Sequence, residues 1–182
     1  EITPFTALAI AEKVAEARIP AGVVNVVTGK GSLVGQALVE HPDVDKIAFT
    51  GSSAVGLHIQ QSCPTLKRLS LELGGNCPLI ITASADIDAA VKGAVRRSFR
   101  NMGQICIAIN RIYVARPIYE TFLEKFVVAA NALTIGDGLL EPAADIGSMA
   151  SRAPLEKTRE HLADALQKGA RLLAGGKAPD GD

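Results

Sequence analysis

Along the chain, stretches whose apolar positions recur at helical spacing alternate with short runs that are apolar almost throughout. Ala7, Ile10, Val14 and Ala17 follow one another three or four residues apart behind Thr3 and Pro4. That pattern predicts a helix with a threonine cap and a proline in its first turn, stopped by Pro20 and Gly22. Residues 23–27 are valine-rich and nearly continuous in apolar character, as in a strand covered on both faces. After a turn at 28–31, a helix is predicted over 32–40, ended at His41-Pro42, and a strand over 46–50. A third helix opens at Gly51, Ser52 and Ser53 and runs to Ser62, with a strand over 67–73 after it. Such alternation implies a parallel sheet with helices on its faces, an α/β fold.

Gly74 and Gly75 break the pattern, and a domain boundary is expected there, with residues 1–73 in one domain and 74–182 in the next. Beyond it the sequence predicts a strand over 78–82, a helix capped by Asp86 or Asp88 and reaching toward Met102, and a strand over 107–115. An amphipathic helix over 118–133, a loop, a helix over 155–168 and a short strand over 171–173 complete the order. The closing GGKAPDGD reads as turn, and no internal repeat is present.

Charge and cysteine content narrow the partners. Nineteen basic residues balance nineteen acidic ones without a long run of either sign, so neither nucleic acid nor a membrane surface is an expected partner. Cys63, Cys77 and Cys106 form an odd set without a CxxC pair, unlike a disulfide framework or a structural zinc site, so no metal is expected and a reducing, cytoplasmic setting fits. The first residues lack a basic segment ahead of a long apolar core, and no apolar run approaches a membrane span, so a soluble protein is expected.

Three constellations carry candidate chemistry. In FTGSSAVG, residues 49–56, a strand ends at a glycine and a helix begins at once, which aims backbone N–H groups and the positive helix end past the strand, a setting for phosphate. Gly51 permits close approach and Ser52 offers a hydroxyl; the same letters also serve any strand-to-helix turn as a cap. In LELGG, residues 71–75, Glu72 interrupts an apolar strand. Burying that carboxylate is costly, so it must be solvated, hydrogen-bonded or raised in pKa, the last being what a general base wants. The plain alternative is a glutamate on the outward face of an edge strand. In FRNMGQIC, residues 99–106, a helix end and a glycine turn deliver Cys106 just before a strand. A thiol there can ionise more easily and can aim its own N–H at an oxyanion, although a buried structural cysteine is the commoner fate and is the one expected for Cys63 and Cys77.

Taken together and in this order, FTGS, LELGG and NxGQxC resemble the aldehyde dehydrogenase superfamily, and the likeness continues through NVVTG at 25–29 and NRIYV at 110–114. The resemblance implies the C-terminal part of a Rossmann-like NAD(P)-binding domain followed by the N-terminal part of an α/β catalytic domain. It makes Cys106 the nucleophile and Glu72 the general base of a covalent oxidation of an aldehyde to a carboxylic acid. Coenzyme A-acylating relatives generally lack this base, so Glu72 points to the hydrolytic branch. It also puts the cofactor pyrophosphate near Gly51 and Ser52, brings Gly29 and Gly56 into the same pocket, and sets Gly74 beside the nicotinamide. The opening EITP looks like the end of a KPxExTP segment, so Glu1 would accept a ribose hydroxyl and favour NAD over NADP.

LELGGNCP and FRNMGQIC look most like succinate-semialdehyde dehydrogenases, which implies that Arg100 binds a substrate carboxylate; the alternative is a surface arginine continuing Arg96 and Arg97. Ala108 stands where some members carry a second cysteine, so that redox switch is not expected. The family's upstream oxyanion-hole asparagine and its downstream ExFGP segment are not in these 182 residues. An internal fragment, inactive alone, of a homo-oligomeric parent is therefore expected. Two rival readings are a non-catalytic scaffold of the same fold and a thiol esterase working without nucleotide.

Overall fold

The computed structural model describes residues 2–177; Glu1 and the tail from residue 178 lie outside the described residues. The chain divides into two compact units, one ending at Gly74 and the other beginning at Gly75.

The first unit opens with helix α1, Phe5–Glu16. Pro4 already has helical dihedrals and its carbonyl accepts the Leu8 N–H at 3.1 Å, but no side chain closes the end, so the cap expected of Thr3 does not form. A π-helical turn, Gly31–Gly35, runs into helix α2, Gln36–Glu40. Strand β1, Lys46–Thr50, helix α3, Ser53–Ser62, and strand β2, Arg68–Glu72, then form a parallel unit in unbroken register: Lys46 stands beside Arg68 and Thr50 beside Glu72. Val39 of α2 and Ile59 of α3 are its buried side chains. His58 on α3 hydrogen-bonds Gln36 on α2 at 2.7 Å, and Lys67 donates to the carbonyls of His41 and Val44, tying the approach to β1 onto the start of β2.

The strand expected over 23–27 is not formed. The sheet of this unit holds only β1 and β2, and Val23 and Val27 are 66% and 69% exposed. A strand exists only through a ladder partner, and the apolar pattern of these residues finds none here. The strand expected over 171–173 fails for the same reason in the second unit, where Leu172 and Leu173 remain exposed.

The second unit pairs strand β3, Cys77–Ile81, in parallel with strand β4, Ile109–Val114. Helix α4, Ile87–Phe99, connects them, with Asp86 accepting the Ala89 N–H at 3.0 Å as its cap and Arg96 and Arg97 in its last turn, where cations suit the helix dipole. The core gathers Ile81 from β3, Val91, Ala94 and Val95 from α4, and Phe122 from helix α5, Tyr119–Asn131. Phe126 stacks between Phe99 and Phe122, with ring centroids 6.2 and 5.7 Å away. Truncating Phe122 to alanine would cost about 3–5 kcal/mol by the usual penalty for an emptied aromatic site. Helix α6, Arg152–Gln167, has no buried residue and displays ion pairs along its surface, Glu156 with Arg159 and Asp164 with Lys168 among them. Among the described residues no helix is long and apolar enough to cross a membrane, and no group of acidic, histidine and cysteine side chains gathers to hold a metal ion.

The loop before α6 is closed by a reciprocal clasp. Thr134 donates its N–H and its hydroxyl to one oxygen of Asp145, at 3.0 and 2.9 Å, while the Asp145 N–H returns to the Thr134 hydroxyl. The clasp flanks a lone parallel bridge between Ile135 and Ile146. These bonds, the backbone one first, hold the Asp145 carboxyl below its ordinary value of 3.8. A carboxyl whose folded pKa is depressed stabilises the fold above its unfolded pKa, and that contribution disappears as pH falls through the folded value. Asp145→Ala should therefore lower the urea midpoint at neutral pH, and the gap to the parent chain should close below pH 3.8. Equal gaps in neutral and strongly acidic buffer would contradict the clasp.

Candidate active site

In the first unit the parallel register brings two motifs to one edge. Thr50 and Glu72 end their strands side by side, and the Gly51 N–H donates to the Glu72 carbonyl at 3.0 Å, carrying the ladder one residue further. FTGS and LELGG thus share the carboxyl end of two parallel strands, the edge at which open parallel sheets take ligands. A Cβ on Gly51 would collide with Phe49 Cζ and one on Gly56 would stand 2.5 Å from Leu73 Cδ2, the far ends of side chains that would have to turn aside. Ser52 caps α3, its hydroxyl accepting the Val55 N–H at 3.3 Å, so the cap role of Gly-Ser is realised. The hydroxyl proton and the N–H groups of Ser53 and Ala54 remain at the helix end, which lacks intrahelical acceptors for its first turn.

Glu72 is exposed while its neighbours Leu71 and Leu73 are half-buried, so strand alternation turns the carboxylate to the open face and solvates it. Gly29 lies elsewhere in the unit, packed so that a Cβ would meet Val34 Cγ2 at 2.5 Å. Gly74 has open space where a Cβ would stand, so no neighbour demands glycine there. Glu1 lies outside the described residues.

In the second unit α4 ends at Phe99, and the turn expected at Gly103 follows, spread over three residues. Asn101, Met102 and Gly103 take successive left-handed conformations, with φ of 54°, 58° and 70°. Left-handed dihedrals are ordinary for glycine, tolerable for asparagine and costly for methionine. The turn is clamped by its own side chains: Asn101 Nδ2 donates to the Gln104 carbonyl at 3.2 Å and Gln104 Nε2 donates to the Asn101 carbonyl at 3.0 Å. Gln104 Oε1 also accepts the Ala150 N–H at 3.0 Å, which ties the turn to the loop before α6. Asparagine and glutamine at these two places are thus structural parts of NxGQxC.

Cys106 follows on a second turn, closed by the Ala108 N–H donating to the Ile105 carbonyl at 2.9 Å. Its side chain is exposed, which disposes of the buried structural cysteine, and its N–H has no acceptor among the described residues. Its carbonyl is pinned instead. Cys77 Sγ donates to it at 3.2 Å, and a Cβ on Gly75 would stand 2.6 Å from the same oxygen. The second glycine of LELGG is therefore required by the backbone of the cysteine turn. Cys77 is half-buried, held in place by its N–H donating to Asn110 Oδ1 at 3.1 Å. That bond exists because the β3–β4 register slips between Cys77 and Pro78: Pro78 cannot donate to a ladder, and the slip leaves Asn110 unpaired. Arg100 caps the end of α4, its backbone N–H donating to the Arg96 carbonyl, and its exposed guanidinium has no hydrogen-bond or ion-pair partner among the described residues. Cys63, half-buried, donates its thiol to the Ile59 carbonyl at 3.2 Å, the structural use expected of it.

The sequence matches the aldehyde dehydrogenase family over residues 1–182. The chain belongs to that family. It is 48% identical to the NADP-dependent succinate-semialdehyde dehydrogenase of Escherichia coli over 97% of this chain and 36% of that protein. It is 49% identical to 3-sulfolactaldehyde dehydrogenase of Pseudomonas putida, over 96% of this chain and 36% of the relative. Among solved structures, PnpE in complex with nicotinamide adenine dinucleotide superposes with a TM-score of 0.94 at 43% identity, covering 99% of this chain and 37% of that one. The chain therefore spans little more than a third of the aldehyde dehydrogenases it matches, and over that span the helix and parallel-sheet architecture is theirs.

Sequence reasoning missed Cys77 and Gly75 as neighbours of Cys106. The available signal was the GGNC run itself, a paired glycine leading straight into a thiol. Gly75→Ala should force the Cys106 turn away from β3 and lower stability by about 1–3 kcal/mol, the usual cost of overpacking. The check is urea unfolding together with the rate of Cys106 alkylation by iodoacetamide. Unchanged values for both would show that the close approach is not needed.

Proposed function

We propose that this chain carries the nucleophile and base of an NAD(P)-dependent aldehyde dehydrogenase acting on a small aldehyde with an anionic group, succinate semialdehyde first among candidates. One observation carries the reading: Cys106 is exposed on a turn whose backbone is held from both sides. In this reading residues 1–73 close the cofactor-binding domain and residues 74–182 open the catalytic one.

The Cys106 thiolate adds to the aldehyde carbon, and the carbonyl π pair moves onto oxygen. The uncommitted Cys106 N–H is a ready donor to that oxyanion. Collapse of the oxyanion releases hydride from the same carbon and leaves a thioester on Cys106. NAD or NADP, when bound, supplies the acceptor for that hydride. Glu72, solvated and ionisable, takes a proton from water as the water adds to the thioester; the C–S bond breaks, the thiolate returns and the carboxylic acid leaves.

The residues at the sheet edge fit a dinucleotide. Gly51, pressed against the Phe49 ring, and Gly56, buried in the first turn of α3, keep side chains away from the helix end. The Ser52 hydroxyl and the N–H groups of Ser53 and Ala54 are the donors that would hold a pyrophosphate. Gly29, Gly74 and Glu1 are assigned to the same cofactor on the family pattern alone. Relatives named for a carboxylate-bearing and a sulfonate-bearing aldehyde support an anionic substrate, and Arg100, exposed and unpaired six positions ahead of Cys106, is the cation offered for it.

In the whole protein, Cys106→Ser should abolish both the pre-steady-state burst and turnover of reduced cofactor. Glu72→Gln should keep a burst stoichiometric with enzyme and lose about 10²–10⁴-fold in steady-state rate, the usual range for a general base. Loss of the burst with the Glu72 variant would move that residue out of the hydrolytic step. Arg100→Ala should raise KM for succinate semialdehyde about tenfold or more, in line with a charged hydrogen bond of roughly 1.5–3 kcal/mol, while leaving butanal unaffected. Equal changes for both aldehydes would remove Arg100 from substrate recognition.

A further inference from the structure

Cys77 is a second thiol beside the first, and the mechanism above does not use it. Its sulfur lies 3.2 Å from the Cys106 carbonyl oxygen, which by standard backbone dimensions puts it at most about 5.6 Å from Cys106 Cα. A disulfide needs the two cysteine backbones close together, with Cα atoms roughly 4.4–6.8 Å apart, and here the sulfur of one cysteine already touches the main chain of the other. Both backbones are fixed where the bond would form, Cys77 by the Asn110 side chain and Cys106 by its two turns. Gly75 leaves the space between them clear of any Cβ. Exposure differs in the useful sense: Cys106 is open to a small oxidant, while Cys77 is half-buried.

We propose that Cys77 is a resolving thiol for Cys106, so that a peroxide converts the pair to a reversible intrachain disulfide and spares Cys106 from irreversible oxidation. The Cys106 thiolate attacks the O–O bond of hydrogen peroxide, becoming a sulfenic acid and releasing hydroxide. Cys77 gives its proton to that hydroxide, forming the first water, and its thiolate attacks the Cys106 sulfur; the S–O bond breaks, and the hydroxide expelled takes up the proton that Cys106 lost on ionising and leaves as the second water. Two thiols and one peroxide become one disulfide and two waters. As a regulatory device this rests on Cys106 being the nucleophile; the pairing itself does not.

The experiment uses the chain and the whole protein in parallel. Native chain treated with equimolar hydrogen peroxide should fall from three free thiols to one, and peptide mapping should show a Cys77–Cys106 link that dithiothreitol removes. Cys63→Ser should form the same link, and Cys77→Ser should instead accumulate Cys106 sulfinic acid. A Cys63 link, or sulfinic acid formed as readily in the parent as in the Cys77 variant, would overturn the pairing. In the whole protein, peroxide should abolish activity that dithiothreitol restores in the parent and not in Cys77→Ser. A mapped link without loss of activity would leave the pairing standing and overturn Cys106 as nucleophile.

Discussion

Because β1 and β2 run in the same direction and in register, Thr50 and Glu72 finish their strands together, and one hydrogen bond from Gly51 to the Glu72 carbonyl locks the two ends. Antiparallel pairing would have sent the two motifs to opposite edges. The same constraint operates in the second unit at the other end of the strands. There the shared amino ends of β3 and β4 bring the Gly75–Cys77 segment beside Cys106, which leads into β4, and Asn110, at its start. Parallel pairing needs a crossover, and α3 and α4 supply it, each capped by a side chain of its preceding loop, Ser52 and Asp86.

The turn before Cys106 stores a conformational cost at the place where chemistry is proposed. Two non-glycine residues in the left-handed region cost about 1–2 kcal/mol each. The reciprocal amide bonds between Asn101 and Gln104 return about 0.5–1.5 kcal/mol apiece, and packing of half-buried Met102 adds to them. The arrangement is close to balanced locally, so the bond from Ala150 to Gln104 matters: it commits the turn to the rest of its unit. Strain held this way is typical of sites that must be positioned before a reactant arrives.

Much of this was legible in the letters, for reasons that can be named residue by residue. Strands β1 to β4 announced themselves through short apolar runs between Gly and Pro, and the Ser52 and Asp86 caps through their place just ahead of helical spacing. The valines at 23–27 carry the same strand pattern and form none, because a strand is a property of two segments and a run of letters describes one. Likewise FRNMGQIC disclosed a turn at Gly103 but not that Met102 shares its left-handed conformation, since methionine has no intrinsic preference for it. The contact between Cys77 and Cys106 was invisible for a third reason. It depends on the one-residue slip opposite Pro78, a detail of register that periodicity does not encode.

A nucleophile must be fixed in position yet free at its reacting atom, and these demands conflict when a side chain is held by its own bonds. Here every tie on Cys106 goes to the main chain. The Cys77 thiol takes its carbonyl, the Ile105–Ala108 turn sets its backbone, and the Asn101–Gln104 clamp fixes the approach. The Cys106 sulfur and N–H keep no partner among the described residues, and these are the two groups that an addition to a carbonyl engages. A cysteine kept only for packing would show the reverse, as Cys63 does: its thiol is spent on the Ile59 carbonyl and half-buried at a helix end.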